Sequence, residues 1–180
     1  DVREVELPLE ARKLYDEMEE ELLAQYDGET FRAANAGVAM GKCQQIANGG
    51  LYKPQYVDEQ GRLPKGPREW VHVHDAKTEA MEDLSDELGG KPMMVAYHFG
   101  HDLARLQTLF GKDTPYLGAG VAGKKADKII AGWNAGDVER LLVHPASAGH
   151  GLNLQGSNSE HVALYSLIDD YELCNQLVRR

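Results

Sequence analysis

The run Met93-Met94-Val95-Ala96-Tyr97 constrains this chain more than any other segment. Five consecutive apolar residues bounded by Pro92 and His98 cannot form a half-exposed strand, which would alternate. They read as a strand buried on both faces, and such strands belong to parallel sheets covered by helices. The neighbouring pattern agrees. Trp70–His74 reads as a strand and 75–88 as a helix, with Asp75 placed to cap it and Gly89-Gly90 to stop it. Residues 100–110 read as helix, 115–117 as a short strand, and 124–135 as a helix ended by Gly136. Strands follow at 139–143 and 161–165, then a helix from Asp169 to Arg180 with Tyr171, Cys174, Leu177 and Val178 on one side. Strand–helix alternation of this kind implies an α/β fold with a mainly parallel sheet.

The first half is organised differently. Val5–Leu7 reads as a short strand. Leu14, Met18, Leu22 and Tyr26 recur every four residues and predict one helix from Leu9 to Tyr26, broken at Asp27-Gly28. An alanine-rich helix is expected from Glu29 to Asn48, ending at Gly49-Gly50. Pro54, Gly61, Pro64, Gly66 and Pro67 mark 51–68 as a flexible loop or loose hairpin. The expected organisation is therefore a helical extension over 1–50, the loop over 51–68, and an α/β lobe over 69–180.

Charge narrows the function. The chain of 180 residues carries a net charge of −10, which disfavours an extended nucleic-acid-binding surface. Residues 1–30 hold eleven acids against three bases, so most of the acidity belongs to one segment. No apolar run is long enough to span a membrane, and no leader-like segment opens the sequence. Cys43 and Cys174 stand far apart in helical contexts and read as free thiols of a reducing cytoplasm. The start at Asp1 and the stop at Arg180, inside a predicted helix, suggest a piece of a longer polypeptide.

Three local motifs invite chemistry. Gly118 to Lys125 matches G-x-x-x-x-G-K, the spacing that wraps phosphates, but Lys125 replaces the hydroxyl that should ligate Mg²⁺. The plainer reading is a glycine-rich turn before a basic helix, whose Lys124 and Lys125 can contact a nucleic-acid backbone. His72-Val73-His74-Asp75 suggests a metal, but no third and fourth ligand follow at useful spacing, so no metal site is assigned. His144, Ser147 and Asp169 suggest a hydrolase triad, yet no G-x-S-x-G elbow surrounds the serine.

The segment His144-Pro145-Ala146-Ser147-Ala148-Gly149-His150-Gly151-Leu152-Asn153-Leu154-Gln155 follows a strand and is built of small residues, a hydroxyl and an amide. A loop of this composition bares N–H groups that hold phosphate oxygens. It resembles motif V of Swi/Snf-type superfamily 2 DNA translocases, in which a Ser/Thr-x-Ala-Gly-x-Gly-Leu-Asn-Leu segment lies in the second motor lobe. Three further pieces in the right order share the resemblance. Gly41-Lys42-Cys43-Gln44-Gln45-Ile46-Ala47-Asn48 is similar to the helix end that opens that lobe. His74–Ala80 with Lys91–Phe99 looks like motif IV and its lead-in. Gln176 and Arg180 fit the first two fixed places of motif VI. His150 departs from the family's usual glycine, His144-Pro145 departs from its Ser/Thr-rich approach, and nothing resembles motifs I to III.

The resemblance implies a three-layer RecA-like lobe and, for the whole protein, an ATP-dependent DNA translocase or helicase. It implies that Ser147, Gly149 and Gly151 face a DNA phosphate or the coupling network, and that Asn153 and Gln155 hold the loop and relay the nucleotide state. Gln176 would approach the nucleotide and Arg180 would line the ATP cleft, where an arginine stabilises phosphoryl transfer. ATP and Mg²⁺ would sit between this lobe and an N-terminal RecA-like lobe that the chain lacks, so this polypeptide alone is expected to hydrolyse no ATP. The competing expectation is a non-catalytic protein-interaction or regulatory module, with the acidic first helix as its contact face.

Overall fold

The computed structural model describes residues 2–148, 153–154 and 161–167. The chain divides into two compact units, Asp1–Lys77 and Thr78–Arg180.

In unit 1, helix α1 (Leu9–Glu21) is followed by strands β1 (Leu23–Tyr26) and β2 (Glu29–Arg32), helix α2 (Ala36–Asn48), and strands β3 (Gly50–Tyr52) and β4 (Trp70–His72). The expected helix through Tyr26 therefore stops five residues early, and residues 29–35 are not helical. Leu22 turns left-handed (φ 56°) and ends α1. Asp27 (φ 50°) and Gly28 (φ 75°) then close an antiparallel hairpin that pairs Tyr26 with Glu29. Two successive residues at positive φ form the tight turn whose twist matches a hairpin, and Asp-Gly is its favoured pair. Ala24 and Phe31, opposite one another in the register, are both buried, so one hairpin face packs into the unit's core with Leu14, Met18, Cys43, Ile46 and Leu51. Val5–Leu7 forms no strand.

Helix α2 starts at Asn35, whose side chain accepts the Val38 N–H at 3.0 Å, and ends at left-handed Gly49. Strand β4 pairs antiparallel with β3 across the Pro/Gly-rich segment and so lies outside the parallel sheet. Gln45 Oε1 accepts the Tyr52 N–H at 3.0 Å, and His74 Nε2 donates to the Ile46 carbonyl at 2.8 Å, tying α2 to the strand pair.

Helix α3 (Ala76–Glu87) leads into unit 2, where β5 (Met93–Ala96), α4 (Gly100–Phe110), β6 (Tyr116–Leu117), α5 (Lys124–Ala135), β7 (Arg140–Val143), the single turn α6 (Pro145–Ala148) and β8 (His161–Leu164) follow. The sheet order is β6-β7-β5-β8 and every pairing is parallel, as the apolar run implied. All four residues of β5 are buried. Met94 and Ala96 join Leu141, Val143 and Trp133 of α5 on one face. Met93, Val95 and Tyr97 join Met81 of α3 and Leu106 of α4 on the other. The strand's two-residue period thus feeds two helical layers, giving the expected three-layer α/β arrangement.

Candidate functional site

In an open parallel sheet, ligands bind beyond the carboxyl ends of the strands. Because β6, β7, β5 and β8 run the same way, the segments that follow them leave from one edge. The ladder continues past the strand ends and holds that edge in register. The Tyr97 N–H meets the Val143 carbonyl at 3.0 Å, His144 meets Leu117 at 2.8 Å, and Tyr165 meets Ala96 at 3.0 Å.

Beyond β5, Asp102 organises the edge. It is completely buried, and its Oδ2 accepts the Phe99 N–H at 2.9 Å, the His98 N–H at 3.3 Å and the Ser166 hydroxyl at 2.6 Å. Its Oδ1 lies 3.1 Å from His101 Nδ1. Phe99 has no side-chain acceptor, so the start of α4 is capped from within by the carboxylate at its third helical position. Burial pushes the Asp102 carboxyl up, but bonds from His101, Ser166 and Phe99 outweigh it and hold the group below the ordinary carboxylate value. One side chain therefore joins the segments after β5 and β8, sixty-four residues apart. Next to Ser166, Tyr165 Oη lies 3.0 Å from Thr78 Oγ1 and pins α3 to the end of β8.

Tyr97 is the second anchor. Its hydroxyl occupies the place a Cβ on Gly118 would take, so this glycine serves close packing. Burial, with Tyr116 nearby, pushes the Tyr97 phenol well above its usual value and keeps it neutral. Rings cluster beside it. His98 and His144 stack with centroids 5.6 Å apart, Tyr97 meets His144 edge-on at 5.6 Å, and Phe99 meets His98 edge-on at 4.7 Å. His144 Nε2 donates to the His98 carbonyl at 3.1 Å. Burial and the adjacent His98 lower the His144 pKa, so this imidazole is neutral at pH 7.

The residues singled out from sequence fall as follows. Ser147 stands just beyond β7, at the expected edge, but not in a bare loop. Pro145 starts the turn α6, and the Ser147 N–H is spent on the His144 carbonyl at 2.9 Å. Proline's fixed φ favours a helical turn there. What Ser147 can offer a ligand is its hydroxyl, not its amide. His144 donates to His98 rather than to Ser147, so the two form no nucleophile–base pair. On the far side of the loop, Asn134 Nδ2 donates to the Asn153 carbonyl at 2.9 Å and Trp133 Nε1 to the Leu154 carbonyl at 3.3 Å. Asn153 and Leu154 thus meet α5 through their backbone carbonyls. Gly149, Gly151, Gln155, Asp169, Cys174, Gln176 and Arg180 lie outside the described residues.

Lys124 and Lys125 are exposed in the first turn of α5, and Lys125 Nζ rests 5.7 Å from the centre of the Tyr116 ring. The Gly118–Lys125 segment forms a turn before α5. The Val121 N–H closes a turn on the Gly118 carbonyl at 3.1 Å, and a second cation stands in the hydroxyl's place. His72 pairs with Asp75 at 2.9 Å on the surface, while buried His74 is committed to α2. Burial, with Glu19 and Asp16 nearby, raises the Cys43 thiol to about 11, which leaves it a protonated core side chain.

No family model matches the chain. "Putative protein p41" of Acyrthosiphon pisum secondary endosymbiont phage 1 is 38% identical over 179 residues, covering 98% of this chain and 34% of that protein. The chain therefore spans about a third of its relative's length. Among solved structures, the C-terminal part of the Fun30 ATPase domain is similar over 58% of this chain and 35% of that one, with a TM-score of 0.48 and 15% identity. Among the described residues, no helix is long and apolar enough to cross a membrane.

Proposed function

We propose that this chain is the second motor lobe of an ATP-dependent DNA translocase or helicase of the Swi/Snf type, inactive as an ATPase by itself. One observation carries the reading. The segments that resemble motifs IV and V leave the same edge of one parallel sheet, from the adjacent strands β5 and β7. Strand β8, on the other side of β5, ends at that edge, and the motif VI-like Gln176 follows it by twelve residues in the sequence. A RecA-like lobe requires this arrangement, and the parallel sheet supplies it.

On this reading the Ser147 hydroxyl and the amides of Gly149 and Gly151 grip a DNA phosphate. Such contacts position a strand without reading its sequence. Lys124 and Lys125 add charge along the backbone. Asn153 and Gln155 keep the loop in register with α5 and relay the nucleotide state. Gln176 approaches the nucleotide, and Arg180 neutralises charge on the transferring phosphoryl group. ATP and Mg²⁺ are held chiefly by the first lobe, for which the relative's greater length leaves room. Lobe closure completes the site.

Arg180→Ala in the two-lobed protein should lower DNA-stimulated ATP turnover by about a thousandfold or more, the usual worth of such an arginine. Unchanged turnover would remove Arg180 from catalysis. Calorimetry on this chain alone should find no Mg-ATP binding, and tight binding would sink the half-motor reading. A two-lobed protein whose ATPase ignores DNA would favour the protein-interaction module.

A further inference from the structure

Unit 1 is electrostatically divided. Residues 1–30 carry a net −8, whereas residues 31–77 hold seven Lys/Arg against four Asp/Glu. Three of those seven cations have side-chain partners. Lys53 lies between Glu29 and Glu69 at 4.0 and 3.9 Å, Arg62 pairs with Asp58 at 2.9 Å, and Lys77 donates to Asn48 at 2.7 Å. Lys42 and Arg68 are held in place without a carboxylate partner among the described residues.

Their placement is built. The Arg68 guanidinium lies 5.0 Å from the centre of the Tyr52 ring and donates to the Lys53 carbonyl through Nε and Nη2 at 3.3 and 3.2 Å. Lys42 Nζ lies 5.6 Å from the centre of the buried Phe31 ring. Lys42 stands one turn before Gln45, whose amide oxygen holds the Tyr52 N–H, so α2 presents it toward the rung where Arg68 is stacked. Burial first, and the positive charge of Arg68 second, lower the Lys42 pKa. Two like charges fixed near one another repel, and a partly buried position screens that repulsion less than open solvent does. An anion between them reverses the sign of the interaction. A planar guanidinium fork beside a lysine point charge suits phosphate oxygens.

We propose that Lys42 and Arg68 form a second phosphate-contact site, on unit 1, that takes the sugar–phosphate backbone of a nucleic acid. Arg68 is exposed and Lys42 half-buried, so the two charges face solvent rather than an enclosed cavity, which suits a polymer backbone better than an enclosed small anion. The nucleic-acid half of the proposal rests on the motor reading above. The anion chemistry does not.

The test measures binding of the 180-residue chain to a short DNA duplex across a salt series. It compares the unaltered chain with Lys42→Gln/Arg68→Gln and with Lys124→Gln/Lys125→Gln. The unit 1 pair should weaken binding about tenfold or more at low salt and make the log–log salt slope shallower by about two. An unchanged slope in that pair, with a shallower one in the Lys124/Lys125 pair, overturns the site and leaves the motor reading standing. No DNA binding by the unaltered chain at low salt overturns the nucleic-acid site. The motor reading is then judged separately, by DNA-stimulated turnover in the two-lobed protein. Acetylation of Lys42 in the unaltered chain, followed by mass spectrometry, needs no variant to fold. Protection by duplex supports the proposal, lack of protection overturns it, and equal protection by inorganic phosphate alone replaces the polymer with a free phosphate ligand.

Discussion

Unit 1 and unit 2 bury apolar surface in opposite ways. Unit 1 packs one face of a tight hairpin and two helices around Phe31, so its strands are half-buried and short. Unit 2 sandwiches its sheet between α5 on one side and α3 with α4 on the other, so its central strands are buried on both faces. The difference shows where local sequence is decisive. A strand buried on both faces must be continuously apolar, and Met93–Tyr97 has no other reading. A half-buried four-residue strand needs only one or two apolar side chains, and Leu23–Tyr26 satisfied a helical period equally well.

The largest expected effects test whether the two cores are separate. Phe31→Ala and Trp133→Ala each remove a buried aromatic side chain and should cost about 3–5 kcal/mol in their own unit. Hydrogen exchange locates the loss. If Phe31→Ala also lowers protection of the β5 and β7 amides to the same extent, the units unfold as one and their cores are not separate.

Asp102→Ala comes next, at about 2–3 kcal/mol, because it strands the Ser166 hydroxyl and the Phe99 N–H in a buried site. The effect should be confined to unit 2 and should depend on pH. The Asp102 carboxyl is held below its ordinary value of 3.8. Its contribution is therefore present in full above that value and is lost as pH falls through the folded-state value. Acid titration of unit 2 stability should show this limb in the unaltered chain and lack it in Asp102→Ala. An identical acid limb in both would dismiss Asp102 as its source.

Asn35→Ala should have the smallest effect, about 1 kcal/mol, confined to α2 in unit 1. Urea unfolding followed in that unit would measure it. No change would mean that packing of Ala39, Cys43 and Ile46, rather than the cap, sets where α2 begins.

Much of unit 2 was legible because its punctuation is local. Gly136 ended α5 and the Met93 run marked β5 without any knowledge of neighbours. Ser147 was legible as an edge residue but not as part of a helical turn, since one proline decided how its N–H was spent. Asp102 carried only a faint signal, an acid placed three residues into a helix. Its importance depends on Ser166, which no spacing rule connects to it. The Lys42–Arg68 pair escaped for the same reason: it exists only because Gln45 and Tyr52 bring α2 against β3.

Sequence alone determined the layer architecture, the helix ends at Gly49, Gly89 and Gly136, and the resemblance that suggests a motor lobe. Each of these depends on burial period or backbone freedom, which are properties of a residue and its near neighbours. Tertiary structure alone decided that residues 23–32 form a hairpin, that β4 pairs with β3, that Tyr97 fills the space beside Gly118, and that Asp102 joins two strand ends. Those outcomes depend on which distant groups meet, and hydrogen bonds and close packing act only over a few ångströms once the chain has brought them there.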